Sequence, residues 1–463
     1  MVKLVDFPWT DLGNTERLIA LYGHELRYCH AWKKWLVWDG TRWNANLPEE
    51  PGKRACLTVR AMYAEAGSME LEAAKLENKN EWDMVAQRAE AFSRFARKSE
   101  ARARILAMVD GTKDHLAINP EDLNRDPDLL NCANGTLHLP TGELRPHRQA
   151  DFLTWIVPVS YTPDARLPMW DAFLEAAIPD EETRNYAQQV AGYTLSGRKR
   201  EDVVIICHGP GGTGKSTFIE AMKAALGDYA ASADIATFTT EARANSAQPD
   251  LARLSGKRLV AVWEAETGGA ILKLLKAVSG GDVISTRSLF QETFEFRPSF
   301  TLWLRANRRP KLPHDDSGLW RRIKETPFVH QFEAPDQTIR ETLTDPTRAG
   351  EAVLAWMVKG YQAYQAAGKL VPPEAVVRAT DAYRQEMDTF REWLEDCTVA
   401  VNGSTPFKNL LSSYRKFAGR QALGRDTFSR RLVEAGFNRR NGTGNVVTFG
   451  GVALVDEKEY QHI

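Results

Sequence analysis

Val203-Val204-Ile205-Ile206-Cys207-His208-Gly209-Pro210-Gly211-Gly212-Thr213-Gly214-Lys215-Ser216 says more about architecture than any other part of this 463-residue chain. A short apolar run of buried-strand type leads straight into the pattern GxxxxGK[ST], and Thr217 to Leu226 behind it reads as a helix. Strand, glycine loop and helix together are the context in which this pattern forms a phosphate site. The glycines let backbone N–H groups converge on an anion, and the helix N-terminus adds favourable partial charge. Gly209, Pro210, Gly211, Gly212, Thr213, Gly214, Lys215, Ser216 and Thr217 are therefore the expected nucleotide-binding residues. Lys215 is expected on the β- and γ-phosphates of ATP, and Ser216 on Mg2+. A Gly-rich turn with an incidental lysine would leave the flanking strand and helix unexplained.

A second buried strand, Leu259-Val260-Ala261-Val262-Trp263, ends in Glu264-Ala265-Glu266. Side chains alternate along a strand, so both glutamates can face one side, one holding the metal and the other orienting the attacking water. Glu264 is favoured for the metal and Glu266 for the water, and the division between them stays open. Lys273 and Lys276 lie on a helical stretch that stops at Ser279-Gly280-Gly281-Asp282, and Val283 to Phe296 reads as two short strands with Thr286 and Arg287 on the first. A third apolar strand, Phe300 to Ala306, ends at Asn307, an amide placed to sense a γ-phosphate or hold a water. Beyond it, Arg321 and Arg322 follow Asp315-Asp316-Ser317-Gly318-Leu319-Trp320. An arginine at a subunit edge can neutralise transition-state charge in the neighbouring site. Taken without the rest of the pattern, either arginine is better read as a surface ion-pair partner.

The order GPGGTGKST, KRLVAVWEAE, LKAVSGGDVISTRSLF, FTLWLRANRRP, DDSGLWRRI resembles the superfamily 3 helicases, in the branch of phage and plasmid primase-helicases and the poxviral replicative primase-helicase. The resemblance extends upstream through Cys132-Ala133-Asn134-Gly135-Thr136 and Gly192-Tyr193-Thr194-Leu195, and through Gly13-Asn14-Thr15-Glu16-Arg17 with Trp35-Leu36-Val37-Trp38-Asp39-Gly40. It implies a homo-hexameric ring with an AAA+-like core, ATP sites between subunits and a pore for single-stranded DNA. By motif position it implies Lys215 and Ser216 as Walker A, Glu264 and Glu266 as Walker B, Asn307 as sensor 1, and Arg322 or Arg321 as the arginine finger. Lys276 to Arg287 matches the pore-lining segment, with Lys273, Lys276 and Arg287 as the DNA contacts. Ala265 between the two acids departs from many relatives.

Composition is that of a globular protein, 43% hydrophobic and 26% charged, with a formal net charge of −1 that can hide local stripes of one sign. No apolar run is long enough to span a bilayer, and Met1 to Leu12 lacks a basic-then-apolar leader pattern, so a cytoplasmic protein of a bacterial host cell, with no membrane partner, is expected. Five cysteines stand far apart without zinc-ligand spacing and read as reduced, mostly buried thiols.

The expected fold is α/β, with a parallel-sheet, AAA+-like P-loop core between a mainly helical α+β N-terminal region and a winged-helix-like C-terminal domain. The expected segments are a Trp-rich β element at 1–48, with a hairpin at Asp39-Gly40, and a helicase-associated region at 49–195. The ATPase core follows at 196–335, a helical extension at 336–400 and the winged helix at 401–463. Two or three amphipathic helices are expected between Arg54 and Val109, closed by Asp110-Gly111, and a linker at Val401 to Pro406. Between Lys408 and Arg440 nine basic residues face two acids, with apolar positions at helical spacing. Two helices and the strands Val446 to Phe449 and Val452 to Val455 then fit a winged helix in which Arg425, Arg430 and Arg431 meet DNA.

The function so implied is ATP-dependent movement along single-stranded DNA in phage or mobile-element replication, alongside a separate primase, polymerase or origin-binding protein. An ATP-gated DNA-binding adapter without processive unwinding is the alternative. Asp126-Pro127-Asp128 reads as a loop and not a nucleotidyl-transfer pair, so no priming by this chain is expected.

Overall fold

The computed structural model describes residues 2–234, 249–263, 278–286, 294–333, 336–419, 422–441 and 446–455. The chain packs as two units, Met1–Tyr161 and Thr162–Ile463.

In the first unit, helix α1 (Asp11–Tyr22) starts at Thr10, whose hydroxyl accepts from Gly13 N at 3.1 Å. Strands β1 (Leu26–Cys29), β2 (Lys34–Trp38) and β3 (Trp43–Asn44) form an antiparallel meander. The expected hairpin at Asp39-Gly40 is its second turn, where Asp39 Oδ1 accepts from Thr41 N and Arg42 N, each at 2.9 Å. Helices α2 (Glu50–Ala73), α3 (Lys79–Ser99) and α4 (Arg102–His115) follow. Asp110-Gly111 does not close the helical stretch as expected, because α4 runs through it to His115. A Cβ on Gly111 would lie 2.6 Å from Thr15 Oγ1, so this glycine serves the close approach of α4 to α1. The unit ends in a second antiparallel sheet of β4 (Leu129–Cys132), β5 (Gly135–His138) and β6 (Glu143–Arg145). Asp126-Pro127-Asp128 is a turn leading into it, with Asp128 N on Asp126 Oδ1 at 3.0 Å.

The second unit opens with α5 (Pro168–Ala177) and α6 (Glu181–Leu195). Its centre is a five-stranded parallel sheet of β7 (Val204–His208), β8 (Ala230–Asp234), β9 (Leu259–Trp263), β12 (Thr301–Ala306) and β13 (Ile323–Pro327), in the order β13-β7-β12-β9-β8. This is the expected P-loop architecture, with the Asn307 strand inserted between the P-loop strand and the strand leading to Glu264. The intervening β10 (Ile284–Thr286) and β11 (Phe294–Phe296) pair as the short antiparallel ribbon read from the sequence.

Alternation assigns the sheet its two faces. Val204, Ile206, Val260, Val262, Leu302, Leu304 and Ala306 join one apolar cluster with Tyr383. On the opposite face, Phe218 of α7 (Lys215–Leu226) meets Trp303, Trp170, Phe328 and Trp356 at ring separations of 5.7–6.1 Å.

Helix α11 (Pro346–Ala367) follows α9 (Ser317–Trp320) and α10 (Gln337–Thr344), with α8 (Pro249–Ala252) earlier in the chain. It crosses α6 where Cβ atoms on Gly192 and Gly360 would each strike opposing backbone at 1.9 Å. After α12 (Glu374–Glu386) and α13 (Thr389–Cys397) come β14 (Thr398–Pro406), α14 (Phe407–Ala418), α15 (Arg425–Glu434), β15 (Asn438–Asn441) and β16 (Val447–Leu454). Two helices against a sheet of order β14-β16-β15 make the winged-helix-like domain. Val401 to Pro406 is not a linker but part of β14, whose pairing with β16 is irregular between Ala400 and Ser404. The two C-terminal strands expected from sequence are one strand, β16, which carries Gly450-Gly451 through its middle.

No described helix is long and apolar enough to cross a membrane. Cys29, Cys132 and Cys207 are buried free thiols, Cys397 is half-buried and Cys56 is exposed.

Candidate nucleotide site

The parallel register brings His208, Ala306, Trp263 and Pro327 to the same end of the sheet. Open α/β sheets bind ligands at the carboxyl ends of their strands. The Gly-rich loop crosses this end between β7 and α7. A Cβ on Gly209 would lie 2.0 Å from the Phe328 carbonyl, and Gly214, the N-cap of α7, has φ +84° with Phe173 directly beneath it. Gly211 and Gly212 are exposed, so the loop presents its crown to solvent while its two ends are packed into the fold.

Lys215 is buried, its Nζ donating to the carbonyls of Gly209 at 2.7 Å and Pro210 at 2.6 Å and to Thr213 Oγ1 at 3.0 Å. The ammonium thus sits inside the loop that an anion would occupy from the other side. Ser216 and Thr217 follow in the first turn of α7, half-buried. Ser216 Oγ is a hard oxygen donor and fits a hard divalent cation such as magnesium. Asn307 is exposed immediately after β12, beside Gly209, whose N–H points at the Ala306 carbonyl at 3.4 Å. Lys215, Ser216 and Asn307 are therefore brought to one end of the sheet. Glu264, Glu266, Lys273, Lys276 and Arg287 lie outside the described residues, and among those described no cluster of His, Cys, Asp and Glu could hold a metal.

Arg321 and Arg322 stand at the opposite end. Val204 N donates to the Arg322 carbonyl at 2.9 Å, at the first residue of β7, whereas the loop begins after its last. A strand of this length separates the two ends by about 16 Å. Arg322 donates to the Gly318 carbonyl at 2.8 Å and to Asp202 Oδ2 at 3.2 Å, with little of its side chain exposed. Arg321 is largely exposed, 3.8 Å from the same carboxylate.

Sequence reasoning missed Glu325, Arg309 and Arg305 around the loop. Glu325, almost fully buried on β13, accepts from Arg309 at 2.9 and 2.8 Å and pairs with His208 Nδ1 at 3.2 Å. Burial pushes this carboxyl up, and the His208 and Arg309 hydrogen bonds outweigh it, leaving it below its ordinary range. The third, Arg305 on β12, donates from Nη1 to Ser216 Oγ at 2.8 Å. A charged residue inside the apolar run of β12, on the same face as Asn307, was the signal available for it. Burial also raises the thiol of Cys207, Arg305's neighbour on β7.

In the winged-helix-like domain Arg425 and Arg430 are exposed on α15, and Arg439 and Arg440 are exposed on β15. Arg431, expected to meet DNA, instead turns inward, donating to Asp388 at 2.6 Å and Asp315 at 2.9 Å over the ring of Phe390. Two carboxylates from segments outside the domain draw it off the solvent face.

Residues 15–179 match the family described as D5 N terminal like, and residues 207–322 match a family of unknown function (DUF5906). The second match runs from Cys207, before the Gly-rich loop, to Arg322, and together the two take in more than half of the chain. The chain is therefore D5-like in residues 15–179. This D5-like chain is 28% identical over 316 residues to "Putative helicase L207/L206" of Acanthamoeba polyphaga mimivirus, covering 64% of this chain and 33% of that protein. It is 32% identical over 243 residues to "Putative helicase 022R" of Frog virus 3, with coverages of 49% and 25%. It is 24% identical over 316 residues to "Putative primase C962R" of African swine fever virus, with coverages of 63% and 33%. The D5-like chain thus matches a third or less of the length of each of these relatives.

Proposed function

We propose that this chain is an ATP-driven translocase on single-stranded DNA, acting as a ring of identical subunits in replication. One observation carries the reading: Lys215, Ser216 and Asn307 lie at one end of the parallel sheet and Arg321 at the other. An exposed guanidinium about 16 Å from its own loop cannot reach its own phosphates, yet it is placed to reach those of a neighbour. Six copies around a pore would pair each loop with the next subunit's Arg321.

In this reading the loop amides and Lys215 hold the triphosphate, with the ammonium moving from the Gly209 and Pro210 carbonyls to the phosphates. Ser216 Oγ and one of Glu264 or Glu266 would hold magnesium, which would supply charge neutralisation to the phosphates when bound. The other glutamate and Asn307 orient the water, and Arg321 of the adjoining subunit stabilises the charge that develops as the γ-phosphoryl leaves. Of the two candidate fingers Arg321 is favoured, because Arg322 is already bound to Asp202 and Gly318 of its own chain. Lys273, Lys276 and Arg287 serve as the pore's contacts to the strand. Arg425, Arg430, Arg439 and Arg440 contact DNA outside it, and a separate primase or polymerase extends the product.

Complementation between two inactive variants tests this. Lys215→Ala and Arg321→Ala proteins should each fail to hydrolyse ATP, whereas their mixture forms interfaces with an intact lysine on one side and an intact arginine on the other. Recovery of activity on mixing, rising with protein concentration and with oligo-dT, is the expected result. Hydrolysis by wild type that ignores dilution, with no recovery in the mixture, would overturn the proposal.

A further inference from the structure

The parallel register sets Cys207, Arg305 and Trp263 side by side across β7, β12 and β9, on the face covered by α7. Arg305 is the one basic residue in β12. Its guanidinium lies over the Trp263 ring at 4.9 Å, and Lys223 Nζ stands 5.6 Å from the same ring. One nitrogen, Nη1, donates to Ser216 Oγ at 2.8 Å, while Nε is buried with no hydrogen-bond partner. Leaving a charged group's donor unmet in the interior is costly, and such groups are retained where an acceptor arrives from outside the fold.

The acceptor that fits is set by position. Ser216 Oγ is the oxygen offered to magnesium, and a guanidinium donating to it occupies one of its lone pairs. Two cations on one oxygen repel unless anionic oxygens join them. Arginine's planar fork matches phosphate geometry, and Nε–H is a donor still unspent.

We infer that Arg305 is the chain's own counter-charge at the metal position. In the free protein it rests on Ser216, where it keeps a cation at the base of the loop, and it turns to the β- and γ-phosphate oxygens when a nucleotide enters. It therefore supports triphosphate binding without metal, and its contact with Ser216 is given up when metal and nucleotide bind together. Arg305 is a binding residue in cis, distinct from the arginine supplied across the subunit boundary. The inference rests on the loop being an ATP site, as proposed above.

Equilibrium binding of a fluorescent ATP analogue, measured with Mg2+ and again with EDTA, tests it. Wild type, Arg305→Lys and Arg305→Ala are compared, with thermal melting of each free protein as the check on folding. Wild type should lose little affinity on removing magnesium, and Arg305→Ala should raise the ratio of EDTA to Mg2+ dissociation constants at least tenfold, with Arg305→Lys between them. A ratio unchanged in Arg305→Ala, while wild type still binds the analogue, overturns the role of Arg305 and leaves the ATP site standing. Wild type that binds the analogue under neither condition overturns the ATP reading itself. Should Arg305→Ala melt much earlier than wild type, the ratio for Arg305→Lys decides, since it keeps the charge and the stem but loses the fork.

Discussion

The Arg322 guanidinium lies 3.2 Å from the Asp202 carboxylate, while Arg321, next to it in sequence, extends into solvent. Neighbouring residues of one type thus hold different positions. Arg321→Ala should lower ATP turnover of the assembled protein by roughly a thousandfold or more, the range of trans-acting arginines, and shift stability by no more than about 0.5 kcal/mol. Arg322→Ala should cost about 1–2 kcal/mol of stability by leaving the Gly318 carbonyl and Asp202 without their donor. Steady-state ATPase assays alongside urea denaturation separate the two, and the reverse assignment would appear as the reverse pattern.

Gly214→Ala is expected to damage the loop through backbone and packing together. A non-glycine residue at φ +84° costs about 1–2 kcal/mol, and the added methyl would meet the Phe173 ring at 2.9 Å. Both melting temperature and nucleotide affinity should fall. A variant that melts like wild type would show that the ring simply moves aside.

Glu325 links the P-loop strand to Arg309, and its ionisation should be visible in the pH dependence of stability. A carboxyl held below its ordinary value of 4.5 contributes stability that is fully present above that pH and is lost as pH falls through its folded position. Glu325→Gln should therefore cost roughly 3 kcal/mol at pH 7, as expected when one partner of a buried pair is removed, with the gap to wild type narrowing below about pH 4.5. Denaturant titrations of both proteins between pH 7 and pH 3.5 measure it. A gap that stays constant across that range would count against an ionised Glu325.

Arg431 and the pair Arg439 and Arg440 should respond to mutation in opposite assays. Arg431→Ala strands Asp315 and Asp388 and should destabilise by about 3 kcal/mol with no specific change in the salt dependence of DNA binding. Replacing Arg439 and Arg440 with alanine should leave melting unchanged and reduce the log-log salt slope for duplex binding by about 2. An unchanged slope would remove β15 from the DNA-binding surface.

Much of the fold was legible because its signals are local. The run Val204 to His208 needs only its own apolar residues to become a strand, and Gly209 to Ser216 needs only its own glycines and the helix behind to form the loop. Leu259 to Trp263 and Thr301 to Ala306 emerged within a residue or two for the same reason. Gly111 misled because a glycine in a helix reads as a stop. Only the hydroxyl of Thr15, far away in sequence, explains it as a point of close approach. Val401 to Pro406 reads as a linker because its partner strand, β16, lies some forty residues further on.

By itself the amino-acid sequence determined the Gly-rich loop, the parallel α/β class and the order of the strands along the chain, since each depends on residues within a few positions of one another. Tertiary structure alone decided which charges face solvent. Arg305 turns in to Ser216, Arg322 to Asp202 and Arg431 to Asp315 and Asp388, while Arg321 stays free of so close a hold. The physical reason is that a guanidinium's role depends on the carboxylates, hydroxyls and rings that folding brings within about 3 Å of it. These partners lie tens to more than a hundred residues away, beyond the reach of any pattern local to the arginine.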